Sequence, residues 1–458
     1  MRRRDILRLG VAGAVVVPGV APGEAIGQPV GQRRPAAAPP LAPQVGPLPP
    51  LPVAVPESIG LSAPRLVQVT EVLEAAVGAG RINGAVLGLA RQGKLGWLRA
   101  VGFRDTAQAE RLLPDAIFPL GALTRPIAVV AAMVLVERGR LKLTDPVAAH
   151  LPVFRELRVA IVKSAGEKSA GEKRDGDTVE LGFELARRPV TIQDLMRHTA
   201  GFTSGVLTPE TPVGRMYVEA GVHAPGKTLA EAMEALAKLP LVRQPGVLWE
   251  DSVATDVLAR VVEVVSGQPF DRFVAREVTA PWRMVDTGYG VAASALGRLA
   301  EPRVDPMTGA VPGQADMRAA AVRIGGDGGM VGTAGDYLRF GQAMLAGGVL
   351  DGARVLGAGT VAHMTSDHLG QIAHDSPSGN YLLGEGRGFG LGVSVRLGNG
   401  VNAMPGSAGD FDWSGTDGCQ FLVDPARELV AVLMLNQRNQ FDHFFRLFRT
   451  LVYQTVAR

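Results

Sequence analysis

The sequence predicts an α/β protein in which an antiparallel sheet is flanked by helices and an all-helical lobe is inserted between the strands. Two observations support this prediction. Apolar, β-rich runs occupy both ends of the domain, whereas its middle shows helical periodicity, so N- and C-terminal segments would assemble one sheet. The apolar fraction of 47% and the charged fraction of 20% are those of an ordinary globular protein.

The N-terminal residues precede the predicted domain. Residues 1–25 are predicted to be a twin-arginine-type export signal, because paired arginines precede a short apolar run; a basic cytosolic tail is the alternative. That run is too short and too interrupted for a stable membrane span. Residues 26–56 are predicted to be a proline-rich, extended linker. We therefore expect an exported, periplasmic or secreted protein whose domain spans 57–458.

The first elements of the domain follow from periodicity and turn residues. Apolar spacing predicts a helix over Ser62–Ala79 that ends at glycine. Residues Asn83–Arg91 and Lys94–Arg104 flank Gln92-Gly93, which indicates a hairpin. A long helical pattern covers Leu123–Arg138. Residues 163–180 carry a short polar tandem repeat, and we expect a mobile surface insertion there.

Helices dominate the middle of the chain and strands return in its last third. The predicted helices are Thr191–His198, Thr228–Leu239, Val253–Val265, Pro269–Val278 and Ala334–Leu345. The predicted strands are Gly388–Leu397, Phe411–Val423 and Leu429–Leu435. A closing helix over Asp442–Tyr453 would bury Phe444, Phe445, Phe448, Leu451 and Val452.

Charge and cysteine usage exclude several classes of function. The formal net charge is +3, and part of that surplus lies in the first 25 residues, so the domain lacks the basic footprint of a nucleic-acid binder. One cysteine, Cys419, excludes an intrachain disulfide and any multi-cysteine metal site. The sequence implies no metal and no organic cofactor, and the oligomeric state stays open.

Six segments together resemble the serine β-lactamase/penicillin-binding-protein superfamily, and in particular its class C β-lactamase and family VIII carboxylesterase branch. They are Phe118–Pro126, Leu141–Pro146, Val190–Gly201, Ser252–Leu258, Gly328–Tyr337 and Trp413–Gly415. The resemblance implies a β-lactamase/DD-peptidase-like fold with a cleft between sheet and helical lobe. It also implies acyl transfer by a Ser-x-x-Lys serine, a tyrosine in Tyr-x-Asn, and a Lys/His/Trp-x-Gly strand.

The residues at those family positions depart from the catalytic pattern. Ala122 stands at the nucleophile's position, Arg125 at the lysine's, Asp251 at the tyrosine's and Val253 at the asparagine's. The third motif, Trp413-Ser414-Gly415, still fits the esterase-like pattern. Alanine has no nucleophilic atom, and an arginine does not shuttle protons near neutral pH.

The two charged replacements are consistent with each other. Because the resemblance places the lysine and tyrosine within hydrogen-bonding reach, we expect Arg125 and Asp251 to form an ion pair across the former catalytic centre. Heads separated by well over about 4 Å would contradict it. The alternative is that each charge reaches solvent by itself. These residues, with Ala122, Val253 and Trp413-Ser414-Gly415, form the predicted ligand cleft.

Three hydroxyl groups and one thiol could in principle carry chemistry instead. All three hydroxyls are weak candidates for a relocated nucleophile. Thr124 lies on a different face of the helix from residue 122, Ser252 is expected to cap or pack, and Ser414 has no evident general base beside it. Cys419 is predicted to be a small core residue.

Histidines and glycines give similarly weak signals. His198 is predicted to position the loop at the cleft edge. The irregular spacing of His363, His368 and His374 argues against a zinc site. The glycine-rich segment 325–329 is interpreted as a turn rather than a phosphate cradle, because no Lys-Ser/Thr follows it.

Three functions remain open at this point. The first is a pseudoenzyme whose cleft binds a small ester, a peptide, a peptidoglycan-like ligand or a partner without turnover. The second is an active esterase, peptidase or β-lactamase-like hydrolase that uses another nucleophile or a water activated by Asp251. The pKa of a carboxylate paired with arginine would be lowered, which argues against that base. The third is a structural or interaction module tethered by the linker.

Overall fold

A computed structural model of the chain describes residues 50–105, 107–162, 180–304, 317, 323–372 and 383–457. The predicted signal, most of the predicted linker and nearly all of the predicted insertion lie outside these residues. The helices are α1 (Ala63–Gly78), α2 (Thr124–Glu137), α3 (Val147–His150), α4 (Ile192–Met196), α5 (Pro212–Glu219), α6 (Leu229–Leu236), α7 (Ala254–Ser266), α8 (Phe270–Val274), α9 (Ala334–Leu345), α10 (Ala358–Met364) and α11 (Phe441–Tyr453). The strands are β1 (Gly84–Arg91), β2 (Lys94–Gly102), β3 (Phe118–Pro119), β4 (Arg158–Val162), β5 (Leu181–Leu185), β6 (Gly288–Tyr289), β7 (Met330–Gly332), β8 (Val349–Leu350), β9 (Ala353–Arg354), β10 (Arg387–Phe389), β11 (Ser394–Arg396), β12 (Phe411–Ser414), β13 (Gln420–Asp424) and β14 (Leu429–Leu435).

The main sheet joins the two ends of the domain, as the sequence predicts. Its seven strands run in the order β10-β11-β12-β13-β14-β1-β2, and the pairing of β14 with β1 is antiparallel. The β1–β2 hairpin turns at Gln92 and Gly93, whose φ angles of 53° and 74° suit a two-residue hairpin loop. The predicted α/β class with an antiparallel sheet is therefore confirmed.

Each face of this sheet is covered by helices. Along β14, Val430, Val432 and Met434 face the core that contains α2, α7 and α9, whereas Leu429, Ala431, Leu433 and Leu435 face the core under α1 and α11. The period-two alternation of a strand explains why all seven positions are apolar. Both faces of the sheet are thus buried. The end of β12 carries Trp413 and Ser414, which belong to the predicted cleft.

Several sequence predictions differ from the structure. Gly388–Leu397 is two short strands, β10 and β11, because the chain turns at Gly392 with a φ of 83°. Phe411–Val423 is likewise split into β12 and β13 by a turn at Gly418 with a φ of 114°. Phe445 is half-buried and stacks on Phe441 at 5.4 Å rather than entering the core.

The inserted lobe also contains elements that the sequence analysis missed. The β4–β5 hairpin pairs Arg158–Val162 with Leu181–Leu185, so the lobe is mostly helical rather than all-helical. The insertion predicted at 163–180 falls between these two strands. Helix α5 lacks a long periodic pattern, which is why the sequence does not predict it. A third sheet, β3-β7-β6, lies beside the first catalytic-type motif.

The packed body begins earlier than the predicted boundary at residue 57. Leu51 is 3% exposed and joins the main core, and the backbone at Val53 bridges to Leu95. Proline-rich composition hid this segment, because an edge segment tolerates proline where an inner strand does not. Among the described residues, no helix combines the length and apolarity needed to cross a bilayer.

Candidate functional site

The first motif forms a tight turn that enters a buried helix. Strand β3 leads into the 3-10 turn Gly121–Leu123, and α2 follows directly at Thr124. Ala122 is partly exposed on this turn, whereas Arg125 in the first turn of α2 is 5% exposed. Pro126 fits here because the first turn of a helix needs no partner for its backbone nitrogen. A partly exposed methyl group thus occupies the family's nucleophile position.

The second motif supplies the partner of Arg125. Arg125 Nη2 donates to Asp251 Oδ1 at 2.6 Å, and the two side chains are only 6% and 7% exposed. The predicted ion pair is therefore present, and neither charge is released into solvent. A charge-assisted hydrogen bond of this length between buried groups fixes the orientation of both side chains.

The third motif packs directly against the first. A methyl group added to Gly415 would lie 2.5 Å from the Leu120 carbonyl oxygen and 3.4 Å from the Ala122 backbone nitrogen, so glycine is required by close approach. The Trp413 ring lies beside the guanidinium, with Arg125 Cζ 5.7 Å from the ring centroid. Trp413 and Ser414 are each 3% exposed. The structure thus brings Ala122, the ion pair and the third motif together.

Aromatic side chains line the inner wall behind the pair. The Trp413 ring centroid lies 5.2 Å from that of Phe389, and Phe389 lies 5.4 Å from Trp249. Trp249 is two residues before Asp251, so one segment contributes both an aromatic ring and a carboxylate. Apolar rings beside the pair lower the local dielectric constant and so strengthen its electrostatic interaction.

The side chains considered as replacement nucleophiles are buried. Thr124 is fully buried, and Ser252, at 1% exposure, accepts a 3.4 Å hydrogen bond from the Ala254 backbone nitrogen at the start of α7. Cys419 is fully buried, and burial raises the pKa of its thiol to about 12. Its role as a core residue is confirmed.

His198 is held inside the fold. Its Nδ1 lies 3.4 Å from Ser252 Oγ and its Nε2 lies 3.2 Å from Thr255 Oγ1. Burial, followed by the charge of Arg125, lowers the pKa of His198 to about 3. The imidazole is therefore neutral near pH 7 and is a poor base for the adjacent Ser252 hydroxyl. A Ser252–His198 nucleophile pair has neither access nor a suitable pKa.

Two other sets of predicted residues are placed as follows. Val253, the N-cap residue of α7, is fully buried in the main core. It therefore offers a ligand no surface, and the prediction that it lines the cleft is wrong. His363 and His368 pack edge to face with ring centroids 4.6 Å apart, and His368 Nε2 hydrogen-bonds to the His363 carbonyl oxygen at 2.8 Å. His374 lies outside the described residues.

Sequence reasoning missed a second set of charged residues beside the cleft. Glu250 is 8% exposed, and burial raises the pKa of its carboxyl. The turn at 325–329, correctly interpreted as a turn, is held by Asp256 Oδ1, which accepts from the Gly326 nitrogen at 2.7 Å and the Asp327 nitrogen at 3.2 Å. The available sequence signal was Asp327 within the glycine run 325–329, because a flexible turn by itself does not need a charged residue there.

Comparison with known proteins identifies the class. The family model named Beta-lactamase matches residues 69–453, and the chain belongs to this family. The family resemblance predicted from six short motifs is confirmed.

Individual relatives place the chain within that class. Protein Rv1367c of Mycobacterium tuberculosis is 32% identical over 369 residues, which cover 78% of this chain and 86% of that protein. Esterase EstB of Burkholderia gladioli is 30% identical over 412 residues, which cover 83% and 93%, and it supports the family VIII esterase branch. Simvastatin synthase (LovD) from Aspergillus terreus shares the fold, with a TM-score of 0.68 at 20% identity over 85% of this chain and 98% of that one.

Proposed function

We propose that this protein is a binding member of the β-lactamase-related serine hydrolase family whose cleft holds a small ester, peptide or peptidoglycan-like ligand without serine acyl transfer. The N-terminal pattern supports export to the periplasm or beyond as part of the same proposal. The coarse assignment to the family rests on the match over residues 69–453.

One observation carries the proposal. The buried Arg125–Asp251 ion pair spans the place where the family resemblance puts a lysine and a tyrosine. Acyl transfer needs a nucleophile that loses its proton to a nearby base. Here the nucleophile's position carries a methyl group, and the guanidinium keeps its proton throughout the physiological range.

The cleft retains features that suit a ligand. Ala122 is partly exposed, and the glycine contact between the first and third motifs keeps their backbones adjacent. Relatives named as an esterase and a hydrolase with promiscuous acyltransferase activity suggest esters as the first ligand class to test. An active hydrolase that uses water is the second candidate, since Asp251 lies beside the cleft.

Restoration of the family residues tests this proposal. We expect the natural protein to give no adduct with a fluorophosphonate probe and no turnover of nitrocefin or p-nitrophenyl butyrate. The triple variant Ala122→Ser/Arg125→Lys/Asp251→Tyr should gain labelling at the introduced serine hydroxyl and measurable ester turnover. The matched control, Arg125→Lys/Asp251→Tyr, restores the proton relay without a nucleophile and should stay unlabelled.

Ligand binding is tested separately from turnover. A saturable thermal shift with p-nitrophenyl butyrate or a muramyl peptide should disappear in Ala122→Phe, which fills the cleft. Ala75→Phe, on the exposed face of α1, is the control and should bind normally. Enzyme-like turnover by the natural protein, with the adduct mapped to a defined side chain, would overturn the proposal.

A further inference from the structure

A second charged cluster lies beside the cleft and takes no part in the proposed function. It consists of His223 between α5 and α6, Asp256 in the first turn of α7, and Arg323 and Asp327 around the glycine-rich turn. It borders the first motif, because a methyl group on Gly328 would lie 3.9 Å from the Gly121 carbonyl oxygen. We name this set the His223–Asp327 cluster.

Three ligand-type atoms converge in this cluster. One atom each from His223, Asp256 and Asp327 lies within 4.8 Å of the others. His223 Nδ1 is 3.9 Å from Asp256 Oδ2 and 3.9 Å from Asp327 Oδ2. Ligand atoms on a tetrahedral zinc ion lie about 3.4 Å apart, given metal–ligand bonds of about 2.0–2.2 Å. A small inward shift would therefore bring all three atoms to coordinating distance.

The hydrogen bonding of His223 determines which of its ring nitrogens faces the two carboxylates. Its Nε2 lies 3.3 Å from the Ser204 carbonyl oxygen, which can only accept, so Nε2 carries the proton. In the neutral ring, Nδ1 then presents a lone pair toward two carboxylates. An acceptor aimed at acceptors is unfavourable unless a cation lies among them.

In the structure that cation is a guanidinium. Arg323 Nη2 donates to Asp327 Oδ1 at 2.8 Å and also contacts Asp256 Oδ2. One guanidinium charge is therefore shared between two carboxylates. The cluster therefore carries a deficit of positive charge that a divalent ion would correct.

We propose that His223, Asp256 and Asp327 bind a divalent transition metal ion such as Zn²⁺, and that Arg323 is an internal competitor that leaves when the ion enters. Imidazole with two carboxylates is a donor set that suits such ions. The Ser204 carbonyl provides the second hydrogen bond that orients a ligating histidine. His223 is 23% exposed and Arg323 is 17% exposed, so the ion has a route in and the guanidinium a route out.

Equilibrium dialysis of the full chain against Zn²⁺, with metal measured by atomic emission, tests the site. We expect one ion per chain, tighter binding in Arg323→Ala, and affinity weaker by more than about 100-fold in His223→Ala and Asp327→Asn, because loss of a ligand costs more than loss of an outer-shell partner. His363→Ala, at an exposed histidine elsewhere, is the matched control and should bind as the natural protein does. Thermal melts establish that each variant is folded, and Asp327→Gly replaces Asp327→Asn if that variant does not fold.

Two results would overturn this assignment. One is the absence of Zn²⁺ binding by both the natural protein and Arg323→Ala. The other is unchanged affinity in folded His223→Ala. Neither result depends on whether the cleft hydrolyses or binds an ester, so failure here is distinguishable from failure of the proposed function.

Discussion

The cleft and the end of the main sheet each hold an arginine buried against an aspartate, and the surroundings of the two aspartates differ. In the cleft, Arg125 meets Asp251 at 2.6 Å beside a partly exposed alanine. At the end of the sheet, Asp410 accepts from Arg449 at 2.8 and 3.0 Å and from Arg396 at 3.1 Å. The sheet carboxylate is surrounded by donors on strands and on α11, whereas Asp251 receives its described hydrogen bond from Arg125.

The difference shows what determines the role of a buried ion pair. Burial alone would raise the pKa of Asp410, but hydrogen bonding and charge from Arg449 lower it, so the carboxylate stays ionised and ties α11 to the sheet. The cleft pair lies where the family resemblance puts a proton relay, so on the proposed function its consequence is chemical. The same two side-chain types thus stabilise the fold in one place and bear on reactivity in the other.

Removal of the sheet carboxylate should have the largest effect. Asp410→Ala removes the carboxylate to which the buried Arg396 and Arg449 both donate. We expect the free energy of unfolding to fall by about 3–5 kcal/mol. Urea denaturation followed by circular dichroism measures this. Asp442→Asn, at an exposed position on α11, should change stability by less than about 0.5 kcal/mol. Equal stability of Asp410→Ala and the natural protein would remove the distinction between the regions.

Disruption of the cleft pair should have a smaller effect. Asp251→Ala leaves one buried guanidinium that still faces the Trp413 ring, and we expect a loss of about 3 kcal/mol. The double variant Arg125→Leu/Asp251→Leu should recover part of that loss, because no charge is left buried. Glu110→Ala breaks the more exposed pair with Arg104 and should cost less than about 1 kcal/mol. A double variant less stable than the single one would contradict this reasoning.

Asp194 is a third buried aspartate that contacts arginine, and its ionisation should make the stability of the fold depend on pH. Burial opposes its ionisation, but hydrogen bonds from Arg188 and the Thr191 backbone lower its pKa to about 2. The pKa of Asp194 in the folded state therefore lies below its value of about 3.9 in the unfolded state. The stabilisation from its ionisation is complete above about pH 5 and is lost as pH falls through about 2.

A stability comparison against pH measures this effect. The advantage of the natural protein over Asp194→Asn should be larger at neutral pH than in acid by about 2 kcal/mol. Urea midpoints of both proteins between pH 7 and the lowest pH at which both fold provide the test. A gap that does not narrow with acid would show that Asp194 acts through capping geometry rather than through its charge.

Much of the fold could be predicted from local sequence patterns. Helix α9 and strand β14 have the predicted bounds, and α1, α2 and the β1–β2 hairpin differ by a residue or two, because long periodic runs and a Gln-Gly turn are local signals. The β4–β5 hairpin and the split of Phe411–Val423 were not accessible, since short strands form where tertiary pairing selects them.

The candidate site likewise has one part that the sequence predicted and another that it did not. The pairing of Arg125 with Asp251 was predicted because two family motifs carried complementary charges at positions that the resemblance brings together. Val253 was misplaced because its burial in the main core depends on tertiary packing that the motif does not record.

The sequence by itself determined the family, the lack of a nucleophilic atom at Ala122 and the identity of the two charges at the lysine and tyrosine positions, because these are properties of residue type at motif positions. Only the tertiary structure decided that the pair is buried and that His223, Asp256 and Asp327 converge near the first motif. These residues are far apart along the chain, and no local pattern records the distance between them. Packing of the lobe against the sheet sets that distance, and with it the electrostatics of the cleft.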